Sequence, residues 1–577
     1  MLLDVPTVAA AREDAQRINQ ESHFASTPGD YHIATWMRDQ LAADGFDAKL
    51  EPFTHDVPFS KKLGLEILTG GKKNIALPLD EVPIPQDPDG TRRDSGPPYN
   101  AFSGSGIVVA NVIDAGHGTE ADYAALAKRG LDVRTRILLV RYGAEFRGLL
   151  ARRAQAKGAR GVLFFSDPAD RDGSLRGPAY PDGPYRPLGS LQRGSLGEPQ
   201  LTIPTLPITA LTARRILAEM HDGISRRPVR MTVEMRMRHN ATLWNTVGVL
   251  QGKDPTHMVV IGAHRDAWVY GVTDNGAGVT TVLEAARALG YLYRSGWRPQ
   301  FSIVVVGFDG EEVGELGSAA YVRAHYGELG SGCIAYINAD EDTTGQTFYA
   351  SAVAALEHTV APAAMTLHDP MEPTRTLYGR WHAQRGGAQV RGPGGGSDFE
   401  AFLYDLGIPT LEMGFGGVFG VYHSSFDDFR YAETQADPGF VNHRTMAQIV
   451  ALLTYRFAAG SVPYRLAAYP PRMSAALAKL ALGGRASDLA PIATALRRFT
   501  YVADNADRRG MDGNVLITAT QRLDRLFYGR NGYAPIAFPD VSAALADGNR
   551  AAISAAIGRT AHELDALSDT IAKATNR

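Results

Sequence analysis

The sequence of 577 residues contains a single cysteine, Cys333. One thiol cannot form a disulfide within the chain or a thiolate-rich zinc site, so any metal here must be held by histidine and carboxylate side chains. The sequence also lacks a run of about 18 consecutive apolar residues, and we therefore expect no membrane-spanning helix. Residues 1–6 do not show the basic and apolar pattern of a secretion signal. A chain from which a signal peptide has been removed would also begin in this way. The sequence therefore leaves the cellular location open between the cytoplasm and the periplasm or exterior.

The sequence has no excess of one charge. Lys and Arg number 59 and Asp and Glu number 62, which gives a net charge of -3 without long runs of one sign. Nucleic acid and anionic membrane surfaces are therefore not predicted as partners. The apolar fraction of 44% and the 22 Phe and 23 Tyr residues are sufficient for a large core. Small molecules or peptides are the expected partners of such a globular chain.

The hydrophobic pattern divides the chain into regions of different character. Residues 8–45 show helical spacing, whereas residues 63–203 contain short strand-like runs between loops rich in Pro and Gly. We interpret the second region as an inserted β-rich domain, with disordered linkers as the alternative. Residues 240–455 alternate strands and helices, which favours a parallel sheet with right-handed crossovers. The last 120 or so residues are Ala-rich and helical, with an apolar stripe.

Ionisable residues follow each of the three apolar strands predicted in the alternating region. Parallel strands place ligand sites at their carboxyl ends, so these residues should meet at one edge of the sheet. Taken one at a time, each acidic residue is explained as the cap of a helix, and the histidine is explained as a polar residue whose hydrogen bonds are satisfied. Together, like charges at one edge destabilise the fold unless cations neutralise them. The residues are His264 and Asp266 after the first strand, Asp274 at the next helix, Glu311 and Glu312 after the second strand, and Asp340 after the third.

Histidine nitrogens mixed with carboxylate oxygens favour Zn²⁺, with Mn²⁺ or Co²⁺ as possible substitutes, over the all-oxygen sites of Ca²⁺ and Mg²⁺. A pair of metals about 3.5–4 Å apart needs a bridging carboxylate and a free carboxylate that handles protons. The adjacent acids Glu311 and Glu312 could divide those tasks.

These motifs, in this order, resemble the glutamate carboxypeptidase II and transferrin receptor family of co-catalytic zinc peptidases. The resemblance spans nearly the whole chain. The matching segments are Phe146-Arg147-Gly148, Gln192-Arg-Gly194, His264-Arg-Asp266, Asp274, Asp309-Gly-Glu311-Glu312, Tyr336-Ile-Asn-Ala-Asp340, Gly396-Ser397-Asp398, Tyr422-His423-Ser424, Phe527-Tyr528 and Tyr533-Ala-Pro535.

The resemblance implies an α/β fold with a mixed, mostly parallel sheet. Residues 1–60 and 239–457 would form the zinc peptidase domain, and residues 61–238 an inserted β-rich protease-associated (apical) domain. Residues 458–577 would form a helical dimerisation domain, which gives a homodimer with twofold symmetry. Helices packed only within the chain are the alternative.

The resemblance also implies a metal centre with two zinc ions and one general base. His264 and Asp340 would hold one ion, Glu312 and His423 the other, Asp274 would bridge them, and Asp266 would orient His264. Glu311 would take a proton from a water held between the ions and pass it to the leaving amine. His423 has no signal of its own, because it is one of 15 histidines and lies in a loop. No structural Ca²⁺ is expected, because Ala320 and Arg323 replace the calcium-binding acids of the family.

The resemblance also has implications for substrate binding, through residues that match the family and residues that differ from it. Arg147 and Tyr422 match the arginine and tyrosine that hold a substrate's terminal carboxylate, which favours a carboxypeptidase. Ser195 and Ser397 replace asparagines of the glutamate-selective members, and a Lys-Tyr loop after Tyr-Ala-Pro is missing, so strict glutamate selectivity is not expected. Glu315 replaces a leucine of the glutamate pocket. If Glu315 lines the pocket it favours a basic side chain, and otherwise it points to solvent.

Alternatives to a carboxypeptidase remain at this stage. An aminopeptidase would use an acid such as Glu315 to bind a free N-terminus, and an N-blocked dipeptide distinguishes the two because only a carboxypeptidase cleaves it. A non-catalytic scaffold similar to the transferrin receptor is the alternative of another class. The presence of every expected metal ligand and of Glu311 argues against that scaffold.

Overall fold

The computed structural model describes residues 1–71, 73–92, 94–168, 176–482 and 487–575. The strands are β1 (Asp47–Ile67), β2 (Ile75–Ala76), β3 (Asn100–Ala101), β4 (Gly106–Ala110), β5 (Val112–Asp114), β6 (Ile137–Arg141), β7 (Gly161–Phe165), β8 (Gly194–Ser195), β9 (Thr205–Pro207), β10 (Met220–His221), β11 (Ile224–Ser225), β12 (Val229–Leu250), β13 (Asp254–His264), β14 (Phe301–Phe308), β15 (Cys333–Asn338), β16 (Thr347–Ala352), β17 (Val390–Arg391), β18 (Thr410–Gly416), β19 (Tyr528–Asn531) and β20 (Ala534–Ala537).

The α-helices alternate with these strands in the first two thirds of the chain and dominate the last third. They are α1 (Val8–Ile18), α2 (Pro28–Ala43), α3 (Glu120–Lys128), α4 (Arg147–Ala156), α5 (Ala210–Leu217), α6 (Gly276–Arg294), α7 (Glu311–Gly314), α8 (Leu316–Ala324), α9 (Tyr326–Gly332), α10 (Glu357–Ala364), α11 (Leu377–Ala383), α12 (Phe429–Tyr431), α13 (Val441–Phe457), α14 (Tyr469–Ala481), α15 (Ala490–Arg509), α16 (Gly513–Phe527), α17 (Pro539–Asp547) and α18 (Arg550–Thr575). None of these helices has both the length and the apolar composition needed to cross a membrane.

A ten-stranded mixed sheet forms the centre of the molecule, in the order β17-β16-β18-β15-β13-β14-β12-β1-β2, with β4 also paired to β12. The pairs β13–β14, β13–β15 and β15–β18 are parallel, while β12 pairs antiparallel with β14 and β1. The apolar runs in β13, β14 and β15 are buried because helices such as α6 cover the sheet. The predicted α/β fold with a mixed sheet is therefore confirmed.

The inserted region is a folded unit. Its second sheet has the order β10-β11-β5-β6-β7-β9, and the neighbouring strands β5, β6, β7 and β9 are parallel. Apolar residues are buried on both faces of this sheet, against α5 on one side and against α3 and α4 on the other. The unit therefore contains more helix than the β-rich domain that the sequence predicts, and the disordered-linker alternative does not describe it.

Two long strands connect the inserted unit to the central sheet. β1 and β12 pair antiparallel along their whole length, from Asp47 opposite Val249 to Ile67 opposite Val229, with irregularities at His55/Val57 and Ser60/Lys62. The domain limits predicted at 60/61 and 238/239 fall inside these continuous strands. Those limits therefore stay a prediction.

The C-terminal region is helical and packs within its own chain. The apolar stripe of α18 is buried, and α18 packs against α15, α16 and α17. The stripe by itself does not require a second chain. The stripe residues are Ile553, Ile557, Leu564, Leu567 and Ile571.

Candidate metal centre and active site

The candidate site lies where the parallel strands of the central sheet end. β15, β13 and β14 are neighbours, so their carboxyl ends bring His264, Glu311, Glu312 and Asp340 to one edge of the sheet. Asp274 directly precedes Asn275, whose side chain caps α6. His423 comes from the loop between β18 and α12.

One group of side chains surrounds His264. Its Nε2 lies 3.2 Å from Asp340 Oδ1 and 3.4 Å from Asp274 Oδ1. Burial alone would lower the pKa of His264, but the carboxylates of Asp340 and Glu311 raise that pKa well above its ordinary value.

A second group surrounds His423. Its Nε2 lies 3.0 Å from Glu312 Oε2 and 3.1 Å from Asp274 Oδ2. Asp274 therefore directs one carboxylate oxygen to each group, and each group has its possible ligand atoms within 4.8 Å of one another. A carboxylate shared in this way is what a pair of metal ions requires.

The donor atoms suit cations. Asp274 Oδ2, Glu312 Oε1 and Asp340 Oδ1 are buried and accept no hydrogen bond from the described part of the chain. Buried carboxylates without donors are costly, and a divalent cation would satisfy them. Imidazole nitrogens with carboxylate oxygens form a donor set that zinc accepts.

Glu311 lies beside these groups. Its Oε2 is 3.9 Å from His264 Nε2, and its side chain lines the cavity described below. Burial, together with the charge of Asp340, raises the pKa of Glu311 well above its ordinary value. A carboxyl group with a raised pKa next to a cation site is suited to accept and return a proton.

Asp266 contacts His264 mainly through its backbone, whereas the sequence analysis expects its side chain to orient this histidine. His264 Nδ1 lies 3.0 Å from the backbone carbonyl of Asp266 and 3.7 Å from its carboxylate. The carboxylate instead accepts the backbone N–H groups of Glu311 at 3.0 Å and Glu312 at 3.3 Å. Asp266 thus orients His264 through its backbone and holds the first residues of α7 through its side chain.

A cavity of about 380 Å³ opens onto this site between the central sheet and the inserted unit. Arg147, the first residue of α4, is buried, and its guanidinium donates to the Tyr422 hydroxyl at 3.4 Å and the Ser195 carbonyl at 3.3 Å. Tyr422 stacks on the His423 ring with centroids 3.7 Å apart. Arg147 and Tyr422 therefore stand next to the metal-binding groups.

The remaining predicted residues take different positions. Glu315 has a left-handed backbone with φ +50° and lines the cavity. Ser195 also lines it, but its hydroxyl donates to the Val313 carbonyl at 2.8 Å. Ser397 is buried behind the site, where its hydroxyl accepts from Asn338 Nδ2 at 2.9 Å.

Several residues that line the cavity received no role in the sequence analysis. They are Glu341, Glu400, Arg530 and Tyr533, and Arg530 forms an ion pair with Glu400. Glu341 directly follows Asp340, so its position after β15 could have indicated it, and Tyr533 belongs to a segment that carries the family resemblance. Arg530 is brought to the cavity by tertiary packing.

The inserted unit also supports His423. The backbone carbonyl of Arg193 accepts a hydrogen bond from His423 Nδ1 at 3.2 Å. The backbone N–H of Arg193 donates to the His423 carbonyl at 3.1 Å. Glu81 accepts from the Arg193 guanidinium at 2.9 Å, from the Leu191 N–H at 3.1 Å and from the Ser425 N–H at 3.0 Å. One buried carboxylate therefore ties the Arg193 segment to the His423 loop.

Sequence comparisons match two segments of the chain to known domains and the chain to several known proteins. Residues 245–443 match Peptidase family M28 and residues 104–197 match the PA domain. The Probable glutamate carboxypeptidase VP8 of Zea mays is 29% identical over 499 residues, covering 81% of this chain and 69% of that protein. The Probable glutamate carboxypeptidase of Arthroderma benhamiae is 28% identical, covering 92% and 85%. Aminopeptidase NAALADL1 of Mus musculus is 28% identical, covering 85% and 77%.

Solved structures share the fold. A Peptidase M28 precursor from Shewanella amazonensis aligns with a TM-score of 0.56 and 20% identity, covering 80% of this chain and 96% of that chain. BSAP, a zinc aminopeptidase from Bacillus subtilis, aligns with a TM-score of 0.53 and 18% identity, covering 79% and 95%. The chain therefore contains an M28 metallopeptidase domain and a PA domain, and its curated relatives at about 28% identity are glutamate carboxypeptidase II-like proteins.

Proposed function

We propose that this metallopeptidase is a carboxypeptidase that removes the C-terminal residue of small peptides at a centre of two zinc ions. The proposal depends above all on the buried, unpaired guanidinium of Arg147. Its guanidinium is buried at the cavity, and no carboxylate among the described residues forms an ion pair with it. A buried cation without a counter-ion is costly. The terminal carboxylate of a peptide would supply that counter-ion, and the guanidinium geometry suits it.

The proposed zinc ligands follow the two groups of donor atoms. His264 and Asp340 would hold one ion, Glu312 and His423 the other, and Asp274 would bridge both. Zinc supplies a Lewis acid beside the scissile carbonyl when it is bound.

The chain's own residues would position the substrate and move the proton. Arg147 and the Tyr422 hydroxyl hold the terminal carboxylate, which places the last peptide bond over the metal-binding groups. Glu311 takes a proton from the attacking water and delivers it to the nitrogen of the departing residue. Asp266 holds the N–H groups of Glu311 and Glu312 and thereby keeps the base in place.

The side chain of the released residue would meet two carboxyl groups. Glu315 and Glu400 both line the cavity near Arg530, which pairs with Glu400. Burial raises the pKa of both carboxyls, for Glu400 to about 8, so a basic side chain beside them favours their ionised forms while an acidic side chain opposes ionisation. Ser195 uses its hydroxyl on the Val313 carbonyl and offers no cation to an acidic side chain. We therefore propose that glutamate is not the preferred C-terminal residue.

The test uses N-acetylated dipeptides that end in Arg, Leu or Glu, with product analysis by mass spectrometry. We expect release of the C-terminal residue, with Arg preferred and Glu least favoured. Arg147→Met should lower kcat/KM by about 10- to 100-fold, because a hydrogen bond to a charged group contributes about 1.5–3 kcal/mol.

Arg152→Lys is the control for this variant. Arg152 also lines the cavity, but its guanidinium is saturated by backbone carbonyls such as those of Gly197 and Pro199. Equal activity of wild type and Arg147→Met on blocked dipeptides would contradict the carboxylate role.

An aminopeptidase is the second candidate function, because Glu315 and Glu341 line the cavity and because the relative NAALADL1 is named an aminopeptidase. An aminopeptidase needs an acid that binds the free α-ammonium group of its substrate. Refusal of every N-acetylated dipeptide, with cleavage of the matching free peptides from the N-terminus, would favour this candidate.

A further inference from the structure

A second cavity of about 400 Å³ adjoins the cavity of the metal centre. Four residues line both cavities and therefore form the wall between them. They are Gly314, Glu315, Glu400 and Arg530. The second cavity reaches the surface, because Asp405 and Arg525 in its lining are exposed residues. Aromatic and small apolar residues contribute much of the remaining lining, among them Ala319, Tyr404, Tyr528 and Pro539. The wall thus separates the metal centre from a second passage to solvent.

Arg530 has the longest side chain in this wall. It lies on β19, and its guanidinium forms an ion pair with Glu400. Glu400 is held in turn by the backbone N–H of Gly396 at 2.5 Å. The aliphatic part of Arg530 lies against Gly395, where an added Cβ atom would come within 2.6 Å of Arg530 Cδ. Contacts at both the aliphatic part and the guanidinium therefore keep this side chain in the wall.

The wall depends on a side chain that can be shortened without damage to the fold. The Arg530 side chain is 43% exposed, whereas that of Glu400 is 6% exposed. An ion pair with so exposed a partner contributes little to stability. We therefore expect a small residue at position 530 to join the two cavities while the fold stays intact.

We propose that Arg530 limits the length of the C-terminal side chain that the enzyme accepts. The inference rests on the proposed carboxypeptidase function, in which Arg147 holds the terminal carboxylate and the side chain of the released residue enters the region lined by Glu315 and Glu400. A side chain that ends at the wall is accepted, and a longer one collides with Arg530. Without this barrier, a long side chain would continue into the second cavity, and its end would lie among the aromatic residues there.

The test compares two blocked dipeptides that differ only at the end of a long, neutral side chain. N-acetyl-Ala-Lys with a formyl group on Nε has a side chain about as long as that of arginine, and a benzoyl group on the same nitrogen adds a ring. We expect wild type to cleave the formyl peptide with a kcat/KM at least about 10-fold higher, because a closed pocket excludes the ring. Arg530→Ala should bring the ratio of the two kcat/KM values close to about 1. Mass spectrometry of the released lysine derivative measures both values.

Three further variants separate the wall from other effects. Arg525→Ala is the matched control, because Arg525 lines only the second of the two cavities and donates to the Leu406 carbonyl at 3.2 Å. It should leave the ratio as in wild type. Arg530→Lys keeps a long charged side chain and should retain most of the discrimination. Ala319→Phe, added to Arg530→Ala, fills the second cavity from α8 and should reduce the gain for the benzoyl peptide.

Several outcomes overturn the inference. If wild type cleaves the benzoyl peptide as well as the formyl peptide, Arg530 is no barrier, and the carboxypeptidase proposal stands because blocked dipeptides are cleaved. If Arg530→Ala lowers both values equally, or if Arg525→Ala gains as much, the arginine does not act through the wall. The same conclusion follows if Arg530→Ala cleaves N-acetyl-Ala-Leu but not the benzoyl peptide. If zinc-loaded wild type cleaves neither N-acetyl-Ala-Leu nor either lysine peptide, the proposed function fails, and the inference fails with it.

Discussion

Glu311 lies beside the proposed metal ligands without belonging to either group of donor atoms. We predict that Glu311→Gln retains zinc but loses about 10²- to 10⁴-fold in kcat, because the amide keeps the shape and cannot accept the proton. Metal analysis and kinetics on the same preparation check both parts. Turnover close to that of wild type would show that another group moves the proton.

Asp14 is a buried carboxyl on α1 that stands outside the catalytic site. Burial and the charge of Glu284 raise the pKa of Asp14 to about 7, while Arg287 opposes them and Glu13 and Asp44 add to them. The unfolded chain binds this proton less tightly, so the contribution of the Asp14 proton to the stability of the fold is fully present below about pH 4 and is lost as the pH rises through about 7.

Asp14→Asn should therefore be more stable than wild type above pH 7, by on the order of 3 kcal/mol, with the difference vanishing near pH 4. Denaturant unfolding at pH 5, 6, 7 and 8 measures this. Glu13→Gln, at an exposed neighbouring position, removes only one of the smaller charges that raise the pKa of Asp14 and should show only a small part of this trend. Parallel curves for wild type and Asp14→Asn would contradict the prediction.

The proposed catalytic residues differ in how far the sequence could predict them. His264, Glu311, Glu312 and Asp340 follow apolar runs, and the rule for strand ends brings them together. His423 needed the family resemblance, because it lies in a loop with φ +57° that has no periodic pattern. The structural role of Glu81 had no sequence signal, since it depends on contacts with residues more than 100 positions away.

At the scale of elements, the short segment around Arg193 connects the inserted unit to the His423 loop. We predict that Glu81→Gln weakens zinc binding at the Glu312 and His423 position by about 10- to 100-fold, because supports of a histidine ligand contribute that much to metal affinity. Competition with a chelator measures the affinity of each zinc site.

Asp114→Asn is the matched control for Glu81→Gln. It breaks the Asp114–Arg141 ion pair of 2.7 Å, which lies in the same inserted unit but does not contact the His423 loop. Equal zinc affinity in wild type and Glu81→Gln would show that the inserted unit is not needed to position His423.

Element prediction succeeded where apolar runs were long. β13, β14 and β15 follow from continuous buried runs, and α6 follows from its amphipathic spacing. The inserted unit was harder, because its strands have only two to five residues and its loops are rich in Pro and Gly. Periodicity over so few residues does not distinguish parallel from antiparallel pairing.

At the scale of the molecule, we predict a homodimer that uses the helical C-terminal region. The α18 stripe is buried within the chain, but Leu482 at the end of α14 and Tyr501 on α15 are 87% and 72% exposed. The family resemblance implies that this helical region forms the dimer contact, and we expect these two side chains to contribute to it. Sedimentation at micromolar concentration should give twice the chain mass of 62.1 kDa.

The control for the dimer is Tyr326→Ser, which removes an exposed aromatic side chain from α9, outside the helical C-terminal region. Tyr501→Glu should shift the distribution toward single chains, while Tyr326→Ser should not. A single-chain mass for wild type across this concentration range would contradict the dimer.

The long pairing of β1 with β12 has a consequence for how substrates enter. This two-stranded ribbon runs from the central sheet into the inserted unit, so it connects the two parts of the chain that line the cavity. We therefore expect little hinge movement between these two parts when a peptide enters.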